Sequence, residues 1–406
     1  MSLRIGLPSY SSDIRSLFIF RLLALLVNAG CYVYLARFLG PFRFGTTASA
    51  VGVVLVLQVV FDLGGSTLVA RDASESSLFE NLGIALRYRW LLLRGLLGLS
   101  FVLIVTLAGR LDAALVVVCG FWVLAGIYES LFVGLLIGLG RTSVGASVGL
   151  IEKLTSLGLM LAMPLFIDPD VTDFIAAFAA GTVVASAVGR ALTRNDCRLA
   201  LSAAPSLSTR NLRRGMSFMA GSLGAQLQNL DVPLVAWLAG AASAGLLAAP
   251  SRLTSPLGLL ASSAATIVLV QRRHSHERLK ILPTSLRVVA LTTVGVSPLI
   301  VAPEAFARIV MGERYEGAAG VFRLVAFGVI LASLSQVLAA DLMAHHKQRQ
   351  VAFAVIMGGV FDLAVVSLTA PSLGAVGGGL GVVCSQVLIL GLILSYRQRM
   401  LRGAAA

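Results

Sequence analysis

Long runs of apolar residues recur along almost the whole chain, and they constrain its fold more than any other feature. The 406 residues are 57% hydrophobic and only 13% charged, with a mean hydropathy of +0.91. A helix needs roughly 20 apolar residues to cross a hydrocarbon core of about 30 Å. A chain of this length holds about twelve such helices with short connections, which leaves no room for a soluble catalytic domain. The sequence therefore predicts an all-α, polytopic membrane protein.

Apolar runs bounded by turn residues predict twelve transmembrane helices, spans 1 to 12. The first run is too long for a signal peptide and no small-residue cleavage site follows it, so we expect span 1 to be retained. The predicted spans are Leu17–Leu39, Thr46–Val69, Ile84–Leu107, Ala113–Leu139, Val144–Ile167, Phe174–Leu192, Met216–Leu238, Ser243–Val270, Thr284–Val301, Ala318–Met343, Val351–Leu368 and Gly374–Tyr396.

The net charge of +13 predicts membrane orientation rather than nucleic-acid binding. With the N-terminus inside, 24 of the 32 Lys and Arg residues fall on inner segments and six on outer ones. Such a bias is typical of the positive-inside rule. We therefore expect both termini in the cytoplasm, contacts with membrane lipids and no nucleic-acid partner. Lys153 and Arg252 complete the total and lie deep in predicted spans.

An internal repeat of about 200 residues divides the chain. The polar connector from Arg194 to Gly215 separates six spans from six. A shift of 200 places Gly40 on Gly240, and likewise aligns Gly45 with Gly245, Ala48 with Ala248 and Asn28 with Gln228. Six spans are an even number, so the repeats run parallel. We predict two parallel six-helix lobes around a central cavity, as in MOP and MATE transporters, with lobes at 1–200 and 216–406 and a cytoplasmic linker at 201–215.

Motifs for enzymatic or metal chemistry are missing from the sequence. Four scattered cysteines form no CxxC pair, and the two histidine pairs, His274 with His276 and His345 with His346, fit solvated loops better than a metal site. No phosphate loop, HExxH or GxSxG motif occurs. We expect no catalytic residue, no bound cofactor and no enzyme activity.

Five segments resemble Wzx-type flippases of the polysaccharide-export branch of the MOP superfamily. They are LARFLGPFRFG (Leu35–Gly45), DLGGSTLVAR (Asp62–Arg71), GLLIGLGR (Gly134–Arg141), DVPLVAWLAGAASAGLLAAPSRL (Asp231–Leu253) and VMGERYEGAAGVFRLVAF (Val310–Phe327). The chain departs from the family at Leu247 and Pro250, where Tyr and Ala are common. No two further helices follow span 12, and we expect the polysaccharide branch rather than the lipid II branch.

The resemblance implies the substrate and the location. Family members carry undecaprenyl-pyrophosphate-linked oligosaccharides outward across the bacterial inner membrane, for O-antigen or exopolysaccharide export. It also implies a polysaccharide polymerase as a further partner, and we expect a monomer.

Charged residues inside predicted spans are the candidate site, because each costs about 2.5 to 3.5 kcal/mol to insert near mid-membrane. Arg252 in span 8, Arg21 in span 1 and Lys153 in span 5 would hold a pyrophosphate, since a guanidinium matches two phosphate oxygens. Arg21 would alternatively extend to cytoplasmic headgroups. Glu152 precedes Lys153, and we expect the two neighbours to point to different sides of the helix.

A polar face on span 7 would meet the sugars. Gln228 and Asp231 lie three residues apart within a cluster that also holds Gln226 and Asn229. Asn28, the repeat partner of Gln228, would face the same cleft. The alternative is that these side chains only join helices by hydrogen bonds.

Carboxylates inside spans are candidates for proton or sodium coupling. Glu129, Glu152 and Asp362 have this position, although salt bridges between helices are the alternative role for any one of them. Two other aspartates are assigned structural or surface roles: we expect Asp62 to pair with Arg71, and Asp341 to be solvated.

Three functions are compatible with the sequence. The prediction is a flippase that works by alternating access of the two lobes. A MATE-type, cation-coupled multidrug exporter is the first alternative, and it would use an acidic cavity. A membrane polymerase or ligase is the second, which the short outer connectors disfavour.

Overall fold

The computed structural model describes residues 10–72, 82–89, 113–203, 219, 222–224, 226–258, 261, 265, 281–345 and 347–403. Within these ranges all regular structure is helical and no strand occurs. Most of predicted span 3, parts of spans 7 and 8, most of the predicted linker, and residues His274, His276 and His346 lie outside the described residues.

The first helix, α1, runs over Tyr10–Asp62 and is broken at Gly40, whose φ of 69° and ψ of 174° are not helical. Its apolar part is 47 residues long, whereas one crossing uses roughly 20. The break therefore divides α1 into two crossings, as predicted for spans 1 and 2. After Leu63 and Gly64, which both have positive φ, helix α2 covers Gly65–Asp72.

Three long helices follow in the first half of the chain, and a short helix comes after them. The third long helix begins with a capping box, in which Asp170 and Asp173 accept hydrogen bonds from each other's backbone N–H. Two carboxylates of the predicted acidic outer loop thus fix the start of a helix. The four helices are α3 (Ala113–Gly138), α4 (Thr142–Ala162), α5 (Val171–Leu192) and α6 (Arg194–Ala203).

In the second half, a break at Gly240 separates α7 (Asp231–Ala239) from α8 (Ala241–Leu253). Gly240 has φ 89° and ψ 158°, close to the values at Gly40. Residues other than glycine rarely adopt this backbone conformation. The two positions are 200 residues apart, so their common geometry agrees with the predicted repeat.

Five more helices complete the described chain. The short helix α10 is bent by 90° from the preceding apolar helix α9. Its orientation is therefore perpendicular to that helix, so it does not extend the same crossing. The five are α9 (Ile281–Val301), α10 (Pro303–Met311), α11 (Ala319–Ala344), α12 (Gln348–Leu373) and α13 (Ala375–Gly403).

Among the described residues, seven helices are long and apolar enough to cross a membrane, or eight if the bent pair counts as one span. The broken α1 is one of the seven although it has the length of two crossings. Predicted spans 4, 5, 6, 9, 10, 11 and 12 each coincide with a long helix. The expected all-α, multi-pass membrane fold is confirmed.

Contacts group the chain into two compact units. The first unit contains Met1–Asn28 and Leu57–Met219, and the second contains Ala29–Val56 and Ala220–Ala406. The early segment 29–56, which we name the first hairpin, thus packs with the second half of the chain. The predicted boundary between lobes, at residues 201–215, stays a prediction.

Glycines allow close packing inside each unit. In the first unit, a Cβ at Gly134 would lie 2.7 Å from the Ser66 carbonyl oxygen. In the second unit, a Cβ at Gly377 would lie 2.7 Å from the backbone of α12. Helices in a membrane gain stability from such close approach, because lipid offers no hydrophobic driving force between them.

Candidate functional site

Arg252, near the end of α8, is held on one side only. Its Nη1 donates to Asn229 Oδ1 at 3.1 Å, and its guanidinium carbon lies 5.6 Å from the centroid of the Tyr32 ring. Its Nε is buried and has no hydrogen-bond partner in the described part of the chain. Because Nη1 is engaged, the edge formed by Nε and Nη2 remains as a fork of donors. That fork matches two oxygens of a phosphate.

The polar cluster of predicted span 7 surrounds a short 3-10 turn, Gln228–Leu230, directly before α7. Pro233 has no N–H to donate to the Asn229 carbonyl, which weakens the helix at this point. Within the turn, Asn229 Nδ2 donates to Gln226 Oε1 at 2.6 Å. Asn229 therefore connects Gln226 to Arg252. Gln228 instead accepts a hydrogen bond of 3.4 Å from Gln386 of α13.

Asp231 and Asp362 form an acidic pair in the same unit. Asp231 is buried, accepts a hydrogen bond of 2.5 Å from the Val232 N–H, and interacts electrostatically with Arg252 and Asp362. Asp362 is completely buried, and within the described residues neither of its carboxylate oxygens has a hydrogen-bond partner. A buried carboxylate in such surroundings is stable when neutral or when bound to a cation.

Gly381 makes space for this carboxylate. A Cβ at Gly381 of α13 would lie 2.5 Å from Asp362 Oδ1. The Asp362 side chain thus points at the backbone of a neighbouring helix, where carbonyl oxygens would also be available to a small cation.

A second charged cluster lies in the first unit. Lys153 Nζ lies 2.8 Å from Glu152 Oε1, and the Thr182 hydroxyl donates to the same oxygen at 2.9 Å. Trp122 Nε1 in turn donates to Thr182 Oγ1 at 3.0 Å. Glu129 interacts electrostatically with both Glu152 and Lys153.

The prediction that Glu152 and Lys153 point to different sides was wrong. Neighbouring side chains leave a helix about 100° apart, but the four-carbon stem of lysine is long enough to return its ammonium group to the adjacent carboxylate. In this structure Lys153 is therefore an ion-pair partner of Glu152.

The structure brings Arg252, Gln228 and Asp231 together in the second unit, with Asp362 beside them. Lys153, Glu152 and Glu129 are together in the first unit. Arg21 is exposed and Asn28 is half-buried, and both also belong to the first unit. Their predicted contact with a substrate stays a prediction.

Two sequence-based pairings are corrected by the structure. Asp62 pairs with Arg89 rather than Arg71, and it also accepts a hydrogen bond of 2.7 Å from the Ser66 hydroxyl. Arg89 is 1% exposed, and its Nε donates to the Ile127 carbonyl at 3.1 Å. The positive φ at Leu63 and Gly64 turns the chain so that Asp62 faces this arginine and not the next helical turn.

Asp341 is buried and not solvated. Arg397 Nε donates to its Oδ2 at 3.2 Å, and His345 Nδ1 lies 3.6 Å from its Oδ1. The carboxylate joins α11 to the last turns of α13, a contact that linear sequence spacing does not encode.

Tyr32 was missed by the sequence analysis. It is buried beside Arg252, yet a tyrosine in an apolar span gives no signal that distinguishes a cation–π partner from a core residue. The one available signal was its position four residues from Asn28 on a helix predicted to line the site.

The helices define a membrane transporter with the MOP-superfamily fold. The structure of the lipid II flippase MurJ in its inward closed conformation superposes with a TM-score of 0.75 at 12% identity, over 96% of this chain and 87% of that one. An inward-facing MATE multidrug resistance transporter of the MOP superfamily gives 0.68 at 13% identity, over 96% and 100%. The structure of MATE in the bent conformation gives 0.62 at 14% identity, over 96% and 95%.

Sequence comparison then identifies the family. The model described as polysaccharide biosynthesis protein matches residues 12–270, which is more than half of the chain. The chain belongs to the polysaccharide biosynthesis protein family, and the resemblance to Wzx-type flippases is confirmed. No curated protein sequence matches the chain significantly.

Proposed function

We propose that this protein is a flippase for an undecaprenyl-pyrophosphate-linked oligosaccharide, which it moves from the inner to the outer leaflet of the bacterial inner membrane for surface polysaccharide export. Both termini would lie in the cytoplasm. The protein would act by alternating access, as a monomer and without catalysing a reaction.

The observation that carries this proposal is the state of Arg252. A half-buried guanidinium in a membrane protein is costly unless its donors are used. One donor is used by Asn229, and the Nε side has no partner in the described chain. A pyrophosphate would complete this fork by charge-assisted hydrogen bonds.

The other predicted groups have supporting roles in the proposal. Arg21 and Lys153 would add positive charge, the latter only after leaving Glu152. Asn28, Gln228 and Asp231 would meet sugar hydroxyls. The lipid tail would remain in the bilayer.

The membrane potential favours export of this substrate. Each negative charge that moves outward against an inside-negative potential releases about 2.3 kcal/mol per 100 mV. Two phosphate charges release roughly 4 to 5 kcal/mol, so no ATP is needed.

Asp362 would provide coupling to a proton or sodium ion. Its unpartnered carboxylate supports this role, and Asp231 beside it would add a second negative charge. Glu129 and Glu152 would be a second coupling site, although the Lys153 ammonium already occupies the Glu152 carboxylate.

Replacement of Arg252 tests the flippase proposal. In liposomes with reconstituted protein, we expect Arg252→Ala to slow translocation of the lipid-linked oligosaccharide roughly tenfold to a hundredfold, because a charge-assisted hydrogen bond is worth about 1.5 to 3 kcal/mol. Arg252→Lys keeps the charge without the fork and would fall in between. Arg308→Ala, at an exposed arginine, is the matched control. Wild-type translocation by Arg252→Ala would rule out the phosphate-binding role.

The alternative is a multidrug exporter of the MATE type. The buried carboxylates Asp231 and Asp362 favour it, because a cationic drug needs an acidic site. Arg252, in electrostatic contact with Asp231, opposes it by offsetting one of these negative charges.

A further inference from the structure

The first hairpin, residues 29–56, supplies part of the surroundings of Arg252. Tyr32 lies on this hairpin, whereas Arg252 and Asn229 come from spans 8 and 7. The ring of Tyr32 covers the guanidinium, and Asn229 holds Nη1. The orientation of Arg252 thus depends on segments almost 200 residues apart in sequence.

The hairpin docks on α8 through a reciprocal pair of glycines. A Cβ at Gly45 would collide with the Ala241 carbonyl oxygen, and a Cβ at Gly245 would collide with the Pro41 carbonyl oxygen. Both contacts join positions that the 200-residue repeat makes equivalent. The crossing is therefore nearly symmetric, and it leaves no room for any side chain.

A third close contact lies next to the residue that holds Arg252. A Cβ at Gly52 would collide with the Asn229 carbonyl oxygen and lie 3.2 Å from the Pro233 ring. This carbonyl lacks the usual helical N–H partner because residue 233 is proline. The docked hairpin thus packs directly on the turn that carries the Asn229 side chain.

Aromatic residues fix Tyr32 itself. Its ring makes an edge-on contact with Phe44 at 6.4 Å between centroids, and Phe44 makes another with Tyr315 at 6.3 Å. Tyr315 also donates to the Ala36 carbonyl at 3.3 Å. Arg37 donates to the Val310 carbonyl at 2.8 Å, at the end of α10. The hairpin is therefore held at both Tyr32 and its turn.

We propose that Tyr32 and Asn229 are positioning residues for Arg252, and that docking of the first hairpin on α7 and α8 sets the phosphate affinity of the site. This inference rests on the proposed flippase function. With the hairpin docked, Tyr32 and Asn229 direct the Nε edge of Arg252 toward the pyrophosphate. When the hairpin leaves, Tyr32 leaves with it and the pyrophosphate is released.

The predicted topology gives this link a direction. The loop between spans 1 and 2 faces outward, so undocking opens the outer side while it weakens the grip on phosphate. A ligand that binds only the docked state also stabilises that state, by the same factor.

Binding of undecaprenyl pyrophosphate to the full-length protein in nanodiscs tests the positioning role. We expect Tyr32→Leu to weaken binding about tenfold, as loss of a desolvated cation–π contact predicts. Tyr32→Phe keeps the ring and binds as wild type does. Neutral undecaprenol binds equally to all three proteins, because it has no phosphate for Arg252. Equal losses for both lipids, or no loss in Tyr32→Leu, would overturn the positioning role.

Glycine variants test the docking step without a change at Arg252 or Tyr32. Gly45→Ala and Gly245→Ala would each place a methyl group against backbone, and we expect each to weaken pyrophosphate binding roughly tenfold or more. Gly30→Ala is the matched control, because a Cβ there meets nothing within 4 Å. Wild-type affinity in both docking variants would overturn the proposed link.

A distance measurement separates this inference from the proposed function. Spin labels at the exposed positions Phe42 and Ala242, in a protein without its native cysteines, report docking directly. We expect undecaprenyl pyrophosphate to increase the short-distance population in wild type and less so in Gly245→Ala. If wild type fails to bind the lipid, the proposed function and this inference both fail. If it binds with no change in distance, only the inference fails.

Discussion

The Asp62–Arg89 pair places two full charges inside the first unit. Each charge loses its hydration, and the cost is offset only because Ser66 and two backbone carbonyls complete the hydrogen bonding. Removal of one partner leaves the other charge buried alone.

Variants of this pair have a defined stability cost. We expect Asp62→Asn or Arg89→Met alone to destabilise the protein by about 3 to 5 kcal/mol, and the double variant to recover part of that loss. The exposed pair Arg308–Glu316 is the control, for which Arg308→Ala costs about 0 to 1 kcal/mol. Thermal unfolding of the purified protein in detergent measures both. Equal effects in the two pairs would contradict the account.

Asp362 allows a test of coupling at a single residue. We expect Asp362→Asn to fold at least as stably as wild type, since the amide carries no charge to bury. Its flipping rate in liposomes would lose any dependence on an imposed proton or sodium gradient. Asp168→Asn, in an exposed loop, is the control and would keep that dependence. A gradient response that persists in Asp362→Asn would assign coupling elsewhere.

At this scale the sequence located charges but not their partners. Charge in an apolar run is visible without a structure, because it opposes insertion, and this selected Arg252, Asp231 and Asp362. Partners such as Arg89 for Asp62 depend on how helices pack, which spacing does not encode.

At the scale of elements, the first hairpin explains why two glycines recur 200 residues apart. Gly40 and Gly240 share a backbone conformation, and Gly45 and Gly245 each pack against the other repeat's carbonyl. A methyl group at either crossing glycine would meet backbone, so the pattern reflects contact between equivalent segments.

Helix positions were predictable from the sequence where apolar runs ended at turn residues. The 90° bend before α10 was not, because Pro303 and the residues after it continue an apolar pattern. Nor was the grouping of residues 29–56 with the second half, since periodicity describes a helix and not the neighbour it packs against.

For the whole molecule, composition and span count predicted the fold class, because no other architecture satisfies backbone hydrogen bonds across a bilayer with so many apolar helices. The identity of the sugar is a different kind of property. It depends on hydroxyl positions in three dimensions, whereas the phosphate needs only a suitably placed arginine.

The central claim is that the protein moves an anionic lipid and not a cationic drug. One preparation of liposomes tests both, with lipid-linked oligosaccharide in one set and a fluorescent organic cation in the other, under the same proton and sodium gradients. We expect protein-dependent translocation of the lipid, slowed by Arg252→Ala, and no flux of the cation above that of empty liposomes. Cation flux without lipid translocation would contradict the account and establish the exporter.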